Sequence, residues 1–246
     1  MPRTHKTLPR LFIDEPMAPE AEIALDKDQT HYLVNVLRRG VGDPCVVFNG
    51  RDGAFLAEIV PAGTKQVTLV LLEQSAPQTP ANDLWYGFAP IKRIDYIAQK
   101  ATEMGAGIIQ PVITKHVQQP RVNMGKLRAN TIEAAEQCEV LAVPEVWEPL
   151  ALDKLIADWQ AEHGDRTLVF CDEEAGSQSP IDRLAELEGR RLGLLIGPEG
   201  GFSEAERTLL RQQSFIFPIS LGPRILRADT AAVAALALIQ AAAGDW

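Results

Sequence analysis

Cysteine is scarce in this chain. The 246 residues hold three, Cys45, Cys138 and Cys171, with no C-x-x-C pair. An odd count without paired spacing argues against a disulfide framework and fits a reducing cytoplasm. Histidine is nearly as rare: four residues, none in a spacing such as H-E-x-x-H, so no metal is expected. Positive charge is in the minority, with 24 Lys and Arg against 33 Asp and Glu, a net charge of −9. Nucleic-acid-binding domains are often basic, so any RNA contact has to come from local clusters of basic residues. A small-molecule substrate would suit the acidic balance equally well. Long apolar runs are missing too. No stretch approaches the roughly 18 apolar residues of a membrane span, and the start MPRTHKTLPRLFIDE lacks the apolar core of a signal peptide. These absences point to a cytoplasmic protein with no membrane partner.

What remains is an ordinary globular composition, 46% hydrophobic, whose pattern changes near residue 78. Before it, short apolar or alternating runs at 11–13, 45–48, 54–60 and 66–72 are separated by turn residues. Asn49-Gly50 and Asp52-Gly53 mark a hairpin turn in FNGRDGAFL. One helix-like stretch, 28–39, ends before Gly40. This part, residues 1–78, reads as a small β-barrel carrying one helix. SAPQTPAND (75–83) is a linker by its prolines and low apolar content. In residues 84–246, strand candidates at 84–89, 108–114, 167–172, 191–197 and 215–220 alternate with helix candidates. The helices are expected at 92–104, 123–139, 152–163, 180–188, 203–213 and 229–243. Such alternation predicts a parallel sheet covered on both faces.

Two segments carry the chemistry. In LLIGPEGGFSEAE (194–206) an apolar strand runs into a Gly/Pro turn, and Ser203 with Glu206 forms a capping box that starts a helix. Glycines at a strand's carboxyl end let backbone approach a ligand closely. The same pattern also describes an ordinary β–α turn; it is neither a Walker A loop nor a G-x-G-x-x-G fingerprint. In ISLGPRILRADTAAVAALALIQAAAG (219–244) a loop with Arg224 and Arg227 precedes a helix that Asp229 or Thr230 would cap. Arginines ahead of a helix N-terminus favour an anion. The helix itself is nearly all Ala, Val and Leu, with too little bulk to complete a core unaided. It is expected to pack closely on another backbone, and a two-fold mate would serve, with Ala235 in the contact.

LIGPEGGFSEAE followed by LGPRILRADTA closely resembles the SPOUT-class RNA methyltransferases, and within them the RsmE-type family. HYLVNVLRRGVGD (31–43), KRIDYIAQKATEMGAGIIQPVIT (92–114), EAAEQC (133–138) and VPEV (143–146) extend the resemblance along nearly the whole chain. It implies a PUA-like β-barrel, binding RNA, followed by a SPOUT-type parallel sheet with a C-terminal trefoil knot. It implies a homodimer that uses S-adenosylmethionine to methylate uridine N3 in small-subunit (16S) ribosomal RNA, free or within the small ribosomal subunit. The implied cofactor residues are Leu195, Ile196, Gly197, Pro198, Glu199, Gly200 and Gly201 in one loop. Leu221, Gly222, Ile225, Leu226, Thr230 and Ala231 belong to the other.

Three positions depart from that family's usual pattern. Lys115-His116-Val117 stands where an acidic-Arg-Ser tripeptide is usual. Glu139-Val140-Leu141-Ala142 replaces a run with two basic residues, and Asp229 replaces Glu. The first puts His116 where an arginine is usual and the second drops two basic residues, which leaves open a protein of the same fold that binds RNA without turnover. A methyltransferase acting on a small molecule is the third reading. For catalysis the candidates are Arg227, to stabilise negative charge on the uracil, with Asp229 and Glu199 as carboxylates that orient it or accept the proton. For RNA docking they are Arg10 (with Arg3, His5 and Lys6), Arg38, Arg39, Lys92 and Arg93.

Overall fold

The computed structural model describes residues 8–61, 67–176 and 178–246. Arg3, His5, Lys6 and the first residue of the expected strand 66–72 lie outside them. The chain forms two compact units. One comprises residues as far as Pro80 together with Ala135–Ala142; the other comprises Ala81–Ala134 and Val143–Trp246.

The first unit is a curled five-stranded sheet. Its strands are β1 (Arg10–Phe12), β2 (Glu22–Ala24), β3 (Pro44–Phe48), β4 (Ala54–Val60) and β5 (Thr68–Ala76), in the order β1-β3-β4-β5-β2. β1 runs parallel to β3, and the other pairs are antiparallel. Alternation drives this arrangement. In β4, Phe55, Ala57 and Ile59 point inward to meet Val47, Leu69 and Leu71. The β3–β4 turn puts Gly50 and Gly53 at φ 79° and 87°, where a side chain would be strained. β2 has three residues, too few to show a period in the sequence. The expected helix 28–39 is revised. α1 (Lys27–His31) is capped by Asp26 with Gln29, then widens into a π-helical turn, Tyr32–Val36, in which Leu37 N donates to Tyr32 O at 2.9 Å. The turn ends at Arg38, whose φ is 55°. The widened turn buries Leu33 and leaves Val34 and Val36 exposed.

The second unit contains β6 (Trp85–Phe88), α2 (Ile94–Glu103), β7 (Ile108–Ile113), α3 (Met124–Cys138), β8 (Glu145–Val146), β9 (Leu150–Ala151) and α4 (Leu152–His163). It continues with β10 (Thr167–Cys171), α5 (Pro180–Ala185), β11 (Leu192–Ile196), α6 (Glu204–Arg211), β12 (Ile216–Ile219) and α7 (Ala228–Ala243). From Ala135 onward the last residues of α3 are part of the first unit. The sheet order is β12-β10-β11-β6-β7-β8, with β9 also on β7, and every pairing is parallel. Both faces are covered, so the strands are apolar on both sides. Leu194 and Ile196 of β11 face the side of α2, α5 and α7. Leu195 faces the other side, among Trp85, Trp159 and Phe170. β11 lies between β10 and β6, so the chain returns from β10 to a place beside β6 before passing to the edge strand β12 on the other side of β10.

Two expectations about α7 are corrected here. The helix starts at Ala228 with Arg227 as its N-cap, and no side chain caps it. Asp229 is the second helical residue, and its Oδ1 accepts from Thr230 N at 2.8 Å. The small residues of α7 are used within the protomer, since the helix packs on α5 and α2 of its own chain. Ala235 is 0% exposed in the single chain. It is therefore a core residue, and an arginine there would disrupt the protomer rather than a contact with a mate.

His163 closes α4 inside an aromatic cluster, with ring centroids 4.1 Å from Trp159, 5.6 Å from Trp147 and 5.5 Å from Trp85. Burial, helped by the nearby Arg166 and Arg191 cations, lowers its pKa from 6.5 to about 4. A base whose folded pKa lies below its unfolded value makes the unfolded chain the better proton binder. Its effect on stability is nil above about pH 6.5 and turns unfavourable as pH falls toward about 4. Urea midpoints at about pH 7.5 and about pH 5 are expected to fall less in His163→Phe than in the wild type. Equal falls would show that the imidazole is not the group responsible.

Candidate active site

A cleft enclosing about 770 Å³, part of it open to solvent, lies at the carboxyl ends of β10, β11 and β12. That is where ligands bind in open parallel sheets, because successive loops leave the sheet there in different directions. Three loops and the start of α7 form it. The end of β10 contributes Cys171, and the loop after it Asp172 and Glu173. The loop after β11 contributes Gly197, Pro198, Glu199, Gly201 and Phe202. The loop after β12 contributes Ser220, Leu221, Gly222, Arg224, Ile225 and Leu226, and α7 adds Ala228 and Ala231.

The first of the two segments expected around a cofactor is shaped by close packing. A Cβ on Gly197 would lie 2.6 Å from the Phe202 ring, so only glycine lets that ring fold under the loop. Gly201 has φ 66°, and its N donates to Pro198 O at 2.9 Å. Ser203 and Glu206 form the expected capping box: Ser203 N donates to Glu206 Oε2 at 2.8 Å, which fixes the start of α6. In the second segment Gly222 takes φ 104°, and Ile225 is 86% exposed. A large apolar side chain left this open beside a cleft is a surface that a ligand would cover.

Of the thirteen residues expected around the cofactor, ten line the cleft. Leu195 is buried on the opposite face of the sheet, among Trp85 and Phe170. Thr230 is exposed on α7, outside the lining. Gly200 points elsewhere: a Cβ there would meet His116 Cβ at 3.3 Å, so the space it keeps is for His116. Glu199 is exposed on the cleft wall, and Arg227 is exposed at the N-cap of α7. Neither makes a side-chain hydrogen bond or ion pair among the described residues. Asp229, 13% exposed, receives Arg93 Nη1 at 3.1 Å. Arg93 also lies over the Tyr96 ring, 4.4 Å from its centroid. The sequence reading coupled Asp229 to Arg227; its ion-pair partner here is Arg93.

The other expected RNA-facing cations divide. Lys92 and Arg38 are exposed. Arg39 is half-buried, with its Nε enclosed and unpaired. Arg10 is half-buried, its guanidinium 5.1 Å from the Phe48 ring centroid, and its Nε and Nη2 are buried without a hydrogen-bond partner. Burial depresses its pKa although Glu139, Cys138 and Glu136 pull the other way. It is packed inside the first unit rather than presented outward.

The sequence reading missed the wall opposite the glycine loop. Asp172, whose side chain is 1% exposed, receives Arg211 at 2.6 Å and lies 3.6 Å from Arg207. Both arginines also reach Glu174, at 2.9 and 3.1 Å. This pins α6 to the end of β10. Glu173, beside it, is exposed in the cleft. Burial, then the Asp172 charge, pushes the Cys171 thiol up to about 12, so it serves as an unreactive apolar wall. Among the described residues no group of three or more His, Cys, Asp or Glu side chains is disposed to hold a metal ion. No helix among them is long and apolar enough to cross a membrane.

Comparison with known proteins gives consistent findings. An RNA methyltransferase domain model matches residues 77–240, and an RNA methyltransferase PUA domain model matches residues 25–72. The chain is 32% identical over 235 residues to the ribosomal RNA small subunit methyltransferase E of Rickettsia conorii, covering 94% of each. Among solved structures it resembles a putative methyltransferase from Legionella pneumophila in complex with the bound cofactor SAM. That match has a TM-score of 0.83 and 29% identity over 96% of this chain and 98% of that one. It shares its fold with a ribosomal RNA small subunit methyltransferase E from Neisseria gonorrhoeae, with a TM-score of 0.82 at 23% identity, covering 97% and 99%.

Proposed function

This chain belongs to the RNA methyltransferase family that includes ribosomal RNA small subunit methyltransferase E, and from that premise we propose that it methylates N3 of a uridine in small-subunit ribosomal RNA. S-adenosylmethionine supplies the methyl group. The observation behind this reading is the cleft at the ends of β10, β11 and β12, where ten residues expected around that cofactor converge from separate loops. Its chemistry suits the group. Ile225, Leu221 and Leu226 offer apolar surface for a flat base, the glycine loop offers backbone, and Glu173 and Glu199 offer negative charge to a cationic ligand.

Uridine N3 carries a proton at neutral pH and attacks only as that proton leaves. Arg227 has a free guanidinium whose planar fork fits the carbonyl oxygens that take up the negative charge. Glu199, exposed and unpaired on the cleft wall, is the carboxylate we assign to the proton. Asp229 is engaged by Arg93 and positions the start of α7. Residues 1–78 form the RNA-binding PUA-like domain in this proposal, and 84–246 the catalytic SPOUT domain, with a trefoil knot in its C-terminal part. Arg38, Lys92 and Arg93 are the exposed cations proposed to meet RNA phosphates. The protein works as a cytoplasmic homodimer.

S-adenosylmethionine at a hundredfold excess over its Kd is expected to add about 2.7 kcal/mol to stability, which is roughly 5–10 °C in Tm for a chain of this size. Ile225→Asp is expected to weaken binding about tenfold or more through lost apolar cover. Because the site is exposed, it should leave the Tm of the free protein within about 2 °C. The target is tested by nucleoside mass spectrometry of small-subunit RNA from cells with and without the gene. An unchanged 3-methyluridine content would refute it.

A further inference from the structure

Resting on the cofactor reading above, we propose that His116 is a positioning residue: it latches the 197–203 loop in the shape that lines the cleft, and Glu206 completes the latch. His116 follows β7 and is 84 and 85 residues from the carbonyls it meets. Its Nδ1 lies 3.3 Å from Gly200 O and 3.1 Å from Gly201 O. Carbonyl oxygens only accept, so Nδ1 carries the proton and donates, shared between the two, and the tautomer is set by the loop. The fit is steric as well. A Cβ on Gly200 would stand 3.3 Å from His116 Cβ, so any larger residue at 200 would crowd the histidine.

Glu206 binds the same two segments from the other side. Its Oε2 accepts from Ser203 N at 2.8 Å and Ser203 Oγ at 2.9 Å in the capping box, while its Oε1 accepts from Lys115 N at 2.7 Å. One carboxylate thus ties the start of α6 to residue 115, and one imidazole ties residue 116 to the loop just before α6. Pro198 and Glu199, just ahead of these ties, and Gly201, itself tied, face the cleft. The loop's other internal bond is the turn from Gly201 N to Pro198 O. Without the latch the loop samples shapes that do not line the cleft, and apparent affinity falls with the fraction that does.

The test uses the full-length protein in three variants. Asn places an amide N–H where Nδ1 stands; Gln places it one methylene farther, where Nε2 stands. His116→Ala and His116→Gln are expected to raise the Kd for S-adenosylmethionine about three- to tenfold, the worth of one hydrogen bond. His116→Asn should return it to near the wild-type value. Amide exchange at Gly201 and Ser203 should quicken in the Ala and Gln variants and stay slow in Asn. At saturating cofactor the ligand itself holds the loop, so the rate of methyl transfer should fall less than the affinity in Ala and Gln, and Asn should restore both. Wild-type binding with the same Kd in His116→Ala overturns the latch alone. Absence of binding by the wild type overturns the cofactor reading and the latch with it. A slower saturated rate in Ala and Asn alike, at unchanged Kd, would assign the imidazole to the RNA and also overturn the latch.

Discussion

Replacing Arg227 by alanine is expected to slow methyl transfer by about a hundredfold or more, the scale seen when one preorganised charge-stabilising donor is removed, and to leave cofactor affinity nearly unchanged. The position supports the split. Arg227 is exposed at the N-cap of α7, between the cleft residues Leu226 and Ala228, and is itself absent from the lining. Its backbone O accepts from Ala231 N at 2.8 Å, so the main chain there is held whatever the side chain is. Arg227→Lys should recover little, because a point charge does not present two parallel donors to a uracil edge. Arg224 provides the contrast. It lines the cleft, and Arg224→Ala should act on cofactor affinity. Single-turnover transfer to small-subunit RNA, with affinity measured alongside, separates the two. Near-wild-type transfer by Arg227→Ala would remove it from catalysis and leave Glu199 to account for activation of the base.

The two segments that pointed to function were legible because their chemistry is local. A strand, a Gly/Pro turn and a capping box are contiguous in 194–206, and the structure reproduces each. The strand–helix alternation after residue 84 was legible for the same reason, since most of its elements are long enough to show their period. What stayed hidden depends on pairs far apart in sequence. The partner of Asp229 is Arg93, 136 residues away, and Arg211 reaches Asp172 across 39. Nothing in RADTA indicates that its aspartate is already engaged. Gly200 was read as room for a ligand, yet its neighbour is His116. Strands β2, β8 and β9 have two or three residues each and are defined only by the strand they join. The order that places β11 inside the sheet is likewise a tertiary fact, since alternation of strands and helices is compatible with many orders.

Ala235→Arg is expected to abolish the folded state, an outcome that bears on how α7 is used. Ala235 is 0% exposed, in a core with Leu236, Ile239, Leu194 and Leu184, where α7 meets α5 and α2. A guanidinium there has neither water nor a counter-charge, and overpacking adds to the desolvation cost. The sum exceeds about 4–5 kcal/mol, against a typical total stability of about 5–15 kcal/mol. The loss would reach the cleft, because Ala228 and Ala231 at the start of the same helix form its floor. Ala241→Arg is the matched control. It carries the same charge on the same helix at an exposed position, so the protomer should fold and bind cofactor. Circular dichroism and light scattering on the pair then separate two uses of this Ala-rich helix. A folded monomer from Ala241→Arg, beside a wild-type dimer, would place the outer face of α7 in the subunit contact. A folded dimer from both variants would contradict the packing of α7 described here.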